Sequence, residues 1–159
     1  MSISILKTSP QLPKVFATPL QLIPQTAHNH FLVATLNRVF ARDLHAGELE
    51  FLQNRVISIK VMDAGLDFRM TLRRDTLSVS NKWSSVDLSI EGSVYDFMLL
   101  ASRKEDPDTL FFNRRIRLKG DTELGLYVKN YLDALELDQH WTPFLGVLDK
   151  AIRLAEQIG

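Results

Sequence analysis

The residues able to carry chemistry in this chain are few, and most lack the neighbours that chemistry needs. The histidines are His28, His30, His45 and His140. His28 and His30 lie two apart on what reads as a helix, so their side chains diverge by about 200° and cannot share a metal. No histidine stands at ligand spacing from Asp or Glu, and no metal site is expected. There is no cysteine, which removes disulfides, thiolate catalysis and cysteine-ligated zinc or iron–sulfur centres. No serine sits in a Gly-x-Ser-x-Gly elbow, and nucleophilic catalysis would also need a positioned base. No Gly-Lys-Ser/Thr follows Gly120 or Gly125, so a phosphate-cradling loop is missing. The acids show no signature of paired acid–base work and read as solvated surface groups. The expectation is a protein without catalytic residues and without a cofactor.

Two groups of side chains invite a closer reading. Arg114, Arg115, Arg117 and Lys119 form a basic cluster. On a strand, Arg115, Arg117 and Lys119 share one face while Ile116 and Leu118 face the core. That face is either plain solvated surface or a docking patch for a phosphate headgroup or an acidic partner. Aromatic residues do not interleave with the cluster, so nucleic acid is a poor fit. The second group is Met62, Met70, Met98, Phe68, Phe97, Phe111 and Phe112, large and adaptable apolar surface. It suits the lining of a site for a flexible chain, and equally the filling of a core.

Around these residues the bulk properties are those of one ordinary globular domain. A chain of 159 residues can bury roughly two-thirds of its unfolded surface. Hydrophobic residues make up 45%, charged ones 24%, and the formal net charge is zero, so no global field draws it to nucleic acid. The first ten residues carry neither a basic leader nor a long apolar stretch, which argues against a secretory signal. No apolar run approaches the roughly 20 residues that span a bilayer.

The elements that must position the candidates follow from periodicity. Residues 1–24 form a proline-rich arm with Leu12, Val15, Phe16, Leu20 and Ile23 at helical spacing. It either packs on the domain or acts as an interfacial segment or lid. Residues 25–45 predict one long helix, with Phe31, Leu32, Leu36, Val39, Phe40 and Leu44 as its apolar stripe and Asn37, Arg38, Arg42 and Asp43 left for solvent. Period two then predicts strands over 56–62, 66–73, about Leu77–Val79 and about Val86–Glu91, an antiparallel meander with one face in water. Asp87, Ser89 and Glu91 are expected on the wet face. A helix over Val94–Ala101, a short apolar piece at Leu110–Phe112 and a fifth strand over Arg115–Lys119 come next. Asp121 or Thr122 caps a helix bearing Leu124, Val128, Tyr131, Leu132 and Leu135. Gly125 within that helix allows either close packing or room for a ligand. Residues 139–159 predict a last helix packed on the core domain of 25–138. The layout is α+β, a five-stranded mostly antiparallel sheet with helices on one face.

Three stretches also carry a resemblance: Gly47-Glu-Leu-Glu-Phe-Leu52, Asp106-Pro-Asp-Thr-Leu-Phe-Phe112, and Gly120-Asp-Thr-Glu-Leu-Gly-Leu-Tyr-Val-Lys-Asn130. The last two lie in one nearly gap-free run, 106–137, that is similar to the anaerobic ubiquinone biosynthesis accessory factors of proteobacteria. Those proteins carry a sterol-carrier-protein-type domain. The wider likeness covers about residues 30–137 and weakens at both ends. It implies a sheet backed by helices around an apolar tunnel for a lipid, an isoprenoid quinone or its precursor, with no catalytic residue set. It also implies partners, the hydroxylating proteins of the oxygen-independent route to ubiquinone. On that basis the sheet would contribute Ile57, Ile59, Phe68, Met70, Leu88 and Ile90 to the tunnel. Phe40, Met98, Phe111, Phe112 and Leu126 would complete it from the helices. Two other readings stay open: a carrier of a phospholipid such as phosphatidic acid, held by Arg115, Arg117 and Lys119, and a scaffold with a closed core. The expected place is the cytoplasm, with peripheral contact at the inner membrane left open.

Overall fold

The computed structural model describes residues 25–81 and 83–135, together with 150, 153, 154, 156 and 157. The proline-rich arm lies outside the described residues. So does most of the expected last helix, whose described positions are helical.

The helix expected over 25–45 is two helices, α1 (Gln25–Val39) and α2 (Ala41–His45). Phe40 between them leaves the helical region at φ −100°, ψ 14°. The hydrogen bonds run on through the bend, from Phe40 N–H to Leu36 O at 2.9 Å and from Leu44 N–H to Phe40 O at 2.7 Å. Phe40 there meets the ring of Tyr131 edge-on, centroids 5.9 Å apart. Asn37 is not a solvent group either. Its side chain donates to Leu77 O and accepts from Leu77 N–H, both at 2.8 Å, and so clamps α1 to the outermost strand.

The five strands are β1 (Val56–Val61), β2 (Leu66–Arg73), β3 (Thr76–Val79), β4 (Leu88–Gly92) and β5 (Arg117–Gly120). Their order across the sheet is β3-β2-β1-β4-β5. Only the first three form the expected meander. β4 lies beside β1 and parallel to it, while the other three pairings are antiparallel. Asp87 explains the placement: its N–H donates to Val56 O at 2.9 Å, and its carboxylate accepts from Val56 N–H at 2.7 Å. The start of β4 is thereby fixed to the start of β1 rather than to β3.

Register sorts the side chains into two unlike faces. One row reads Val79, Met70, Ile57, Leu88, Gly120 across the five strands, and the next reads Phe68, Ile59, Ile90, Leu118. The opposite face carries Asp67, Lys60, Glu91, Arg117, a row whose charges alternate in sign, which favours cross-strand pairing. Glu91 is not outward in the sense of exposed. It is 6% accessible beneath Lys119 Nζ at 3.2 Å and Arg117 Nη2 at 3.8 Å.

The helices after β4 are α3 (Val94–Ser102), α4 (Pro107–Phe112) and α5 (Thr122–Ala134). Pro107 stands at the first turn of α4, where its missing N–H costs nothing. Arg103 caps α5 from outside, its guanidinium donating to Leu132 O at 2.6 Å and Leu135 O at 2.7 Å. Leu88, Leu110 and Ile116 are almost fully buried, each contributing about 1.5–3 kcal/mol relative to exposure.

One end of the sheet is closed by charge. Arg55, just before β1, pairs with Asp121 and lies 3.7 Å from Asp87. Asp121 caps α5 by accepting from Leu124 N–H at 3.0 Å. Gly120 precedes it at φ +121°, and a Cβ there would run into the Asp87 carbonyl oxygen. The Leu124 N–H first, and then Arg55, hold the Asp121 carboxyl below its ordinary 3.8.

Gly120→Ala should therefore lose at least about 3 kcal/mol in denaturant unfolding, combining backbone strain and collision. Gly47→Ala, at φ +76° with open space around it, should lose only about 1 kcal/mol; equal losses would remove the collision from the account. The depressed Asp121 value means its contribution is full above the unfolded value and disappears as pH falls through the folded one. On acidification below about pH 5, Asp121→Asn should show a shallower fall in unfolding midpoint than the parent; parallel falls would assign the acid sensitivity elsewhere.

Candidate lipid-binding face

The apolar rows of the sheet, roofed by helices, bring most of the expected interior residues together. Ile57, Phe68, Met70, Leu88 and Ile90 are buried on this face, and Ile59 is half-buried. From the helical side Phe40, Met98 and Phe111 pack half-buried against the same core. Phe112 and Leu126 do not belong to it. They are 86% and 57% exposed, because the phase of α4 turns Leu110 inward and that of α5 turns Leu124, Gly125 and Val128 inward. The phase of α4 could have been read from Pro107 as its first residue. Taking Leu110–Phe112 as an undivided apolar piece hid it.

Gly125 is a packing residue. A Cβ there would meet Leu88 and Leu118 side chains at 3.5 and 3.6 Å, ordinary contact, so α5 lies directly on β4 and β5. Beside it an aromatic group joins α5 to the 3-10 turn Glu50–Leu52. Phe51 stacks on Tyr127 with centroids 5.8 Å apart and leans on Tyr131 at 6.1 Å. The Tyr131 hydroxyl donates to Asp43 at 2.5 Å. Burial first, and then that carboxylate, push its ionisation far above the ordinary tyrosine range. Asp43, expected in solvent, is the acceptor that makes this burial tolerable.

The basic cluster does not act as one patch. The strand begins at Arg117, two residues later than expected, and Arg115 turns away to Asp96. Asp96 is 2% exposed. Arg115 approaches it through Nε at 2.8 Å and Nη2 at 2.6 Å, while its guanidinium lies 5.5 Å from the Tyr95 ring centre. Ser93 Oγ donates to the same carboxylate at 2.8 Å and accepts from Asp96 N–H at 3.1 Å, which starts α3. Arg117 and Lys119 share Glu91. Tyr95 donates to Glu156 at 2.9 Å, tying the end of the chain to α3. Among the described residues no helix is long and apolar enough to cross a membrane.

A model of the SCP-2 sterol transfer family matches residues 36–133. Over 127 residues the chain is 42% identical to the ubiquinone biosynthesis accessory factor UbiT of Escherichia coli (strain K12), covering 80% of this chain and 72% of that one. The chain belongs to the SCP-2 sterol transfer family, close to the UbiT accessory factors. UbiT of Escherichia coli O157:H7 matches to the same extent. A solved structure described as the UbiJ-SCP2 ubiquinone synthesis protein shares the fold. Its TM-score is 0.56 at 15% identity, over 70% of this chain and 93% of that one. The resemblance read from residues 106–137 and the α+β class both hold. Within the family run, Gly120 and Asp121 close the charged end of the sheet and Gly125 seats α5.

Arg115→Ala takes the guanidinium from the buried Asp96 carboxylate, and should cost about 3–5 kcal/mol in unfolding free energy at neutral pH. Asp96→Asn combined with Arg115→Met should recover most of that loss. A double variant as unstable as Arg115→Ala would mean that packing of the Arg115 stem, rather than charge, holds this junction.

Proposed function

We propose that the chain binds isoprenoid quinone intermediates between the apolar sheet face and its helices and presents them to the hydroxylating enzymes of oxygen-independent ubiquinone biosynthesis, catalysing no step itself. The observation that carries this is the pairing of a one-sided apolar sheet with 42% identity to UbiT. The sheet face offers Ile59, Phe68 and Ile90 in one row, and α3 and α4 hold Met98 and Phe111 half-buried above the same core. A thioether and a phenyl ring that keep part of their surface outside the packed core suit a flexible tail. Each methylene taken from water contributes about 0.8 kcal/mol, so a partly enclosed prenyl chain is held strongly without specific contacts.

Several described carboxylates around the sheet support the non-catalytic part. Asp96 and Glu91 are bound by arginine or lysine, and Asp121 caps a helix while pairing with Arg55. Groups so engaged are poorly placed to move substrate protons. A phosphate headgroup is the weaker fit, because Arg115, Arg117 and Lys119 already face buried acids. On this reading the protein works in the cytoplasm, peripheral to the inner membrane, with the hydroxylating proteins as partners.

Protein purified from anaerobically grown cells of its source and extracted with organic solvent should release near-stoichiometric prenylated quinone precursor in mass spectrometry. Met98→Trp, which fills space above the sheet, should lower that occupancy several-fold while leaving the melting temperature within a few degrees. Phospholipid in the extract would transfer the proposal to that ligand, and no lipid at all would leave a scaffold with a closed core.

A further inference from the structure

The buried apolar residues do not form one continuous cluster. The larger group joins Val33, Ile57, Met70, Leu88, Leu99, Leu110 and their neighbours. A smaller one, Val61, Ala64 and Phe68, sits at the end of the sheet opposite the Arg55–Asp121 pair. Three side chains pack against both groups, Leu32 of α1, Ile59 of β1 and Phe97 of α3, and all three remain half-buried. Among the described residues α1 and α3 do not pack closely on each other; α1 rests on β2 and β3. The seam between the groups therefore runs between these two helices, over Ile59.

That seam reaches the surface through apolar residues. Leu66 and Val94, half-buried, flank the smaller group. Phe31, next to Leu32 on α1, is 77% exposed, and Met62, at the turn after β1, is 55% exposed. The Phe97 ring lies close over the end of β4, since a Cβ on Gly92 would come within 3.3 Å of it. At the opposite end the way is barred by Arg55, Asp87, Asp121 and the backbone contact at Gly120. A hydrocarbon chain passing there would have to separate ion pairs and bare helix-end N–H groups. At the seam the side chains it would displace, Leu32 and Phe97, carry no polar atoms, and the polar contact beside them, Asp63 accepting from Val94 N–H at 2.9 Å, can stay in place.

We infer that the apolar tail enters and leaves between α1 and α3, over the Met62–Gly65 turn, passing Leu32 and Phe97. The inference rests on the lipid-binding reading above and adds where the ligand crosses the protein surface. It also assigns Leu32 and Phe97, neither of them among the tunnel residues that the resemblance implied, as the pair that sets the rate of exchange.

The absence of cysteine makes the test specific. Leu32→Cys, Phe97→Cys and, at the charged end, Thr122→Cys are prepared in the full chain and labelled with a bulky, reducible methanethiosulfonate reagent. Uptake of a dansylated polyprenyl probe from phosphatidylcholine–phosphatidylglycerol vesicles is then followed by stopped-flow fluorescence. Label at Leu32 or Phe97 should slow uptake at least tenfold, reduction by dithiothreitol should restore it, and label at Thr122 should change it less than twofold. The unlabelled variants report whether each substitution is itself tolerated, and either of the two seam positions suffices. Slowing at Thr122 alone, or at none of the three, overturns the seam while leaving lipid binding in place. An unlabelled parent that takes up no probe overturns both readings together.

Discussion

The carboxylate of Asp96 sits almost wholly out of water at the junction of β4 and α3, and several neighbouring elements are arranged as that charge requires. A buried ion is tolerated only when its oxygens are met by donors in good geometry. Ser93 supplies one and in return receives the N–H of Asp96, so the helix must begin at that point. Arg115 supplies two more, and its side chain must leave the line of the coming strand to do so. The turn after α4 is bent accordingly, with both Arg115 N–H and Ile116 N–H donating to Leu110 O. Ile116 is driven into the core and β5 begins only at Arg117. One acid thus sets the start of α3, the path out of α4 and the register of the edge strand.

The same economy of charge governs the face of the sheet away from the helices. Asp67, Lys60, Glu91 and Arg117 alternate across four strands, and Ser58, fully buried beside them, donates to Asp67 at 2.6 Å. A face organised to neutralise itself leaves little field to attract an anion from solution. On the proposed lipid-binding reading, recognition is left to the apolar side, where shape and area act instead of charge.

Sequence periodicity located all five strands and the longer helices among the described residues, because each strand exposes one face and alternation survives wherever that holds, while α4 was legible only as a short apolar piece. What periodicity missed was set by single contacts between distant residues, most of them polar. The β4 placement depends on Asp87 reaching Val56, the break at Phe40 goes with its contact to Tyr131, and Asn37 and Asp43 find partners 40 and 88 residues away. A spacing rule carries no information about such pairings. The candidate interior was readable on the sheet, where alternation assigns the face, and less so on short helices. In α4, only six residues long, one step of phase separates buried Leu110 from exposed Phe112. The family run was legible for a different reason: Gly120 and the Asp121 cap answer to fixed backbone geometry, which admits few substitutes.

A carrier for a prenyl tail faces a particular physical problem. Each methylene gains about 0.8 kcal/mol on leaving water, but it gains nearly as much in a bilayer as in a protein interior. The tail therefore fixes neither direction nor selectivity of transfer; the ring and the rate of exchange do. Rate depends on what must open. At the charged end, opening would separate Arg55 from Asp121 and uncover the capped Leu124 N–H, each costing more than a hydrogen bond exchanged freely with water. Between α1 and α3 the side chains that must move, Leu32 and Phe97, belong to two apolar groups at once and are half-buried already. Moving them loosens the boundary between the groups without separating the Arg55–Asp121 pair. A division in the hydrophobic core that would be a weakness in a purely structural domain is, for a protein that must admit and release a long apolar chain, the place where opening costs least.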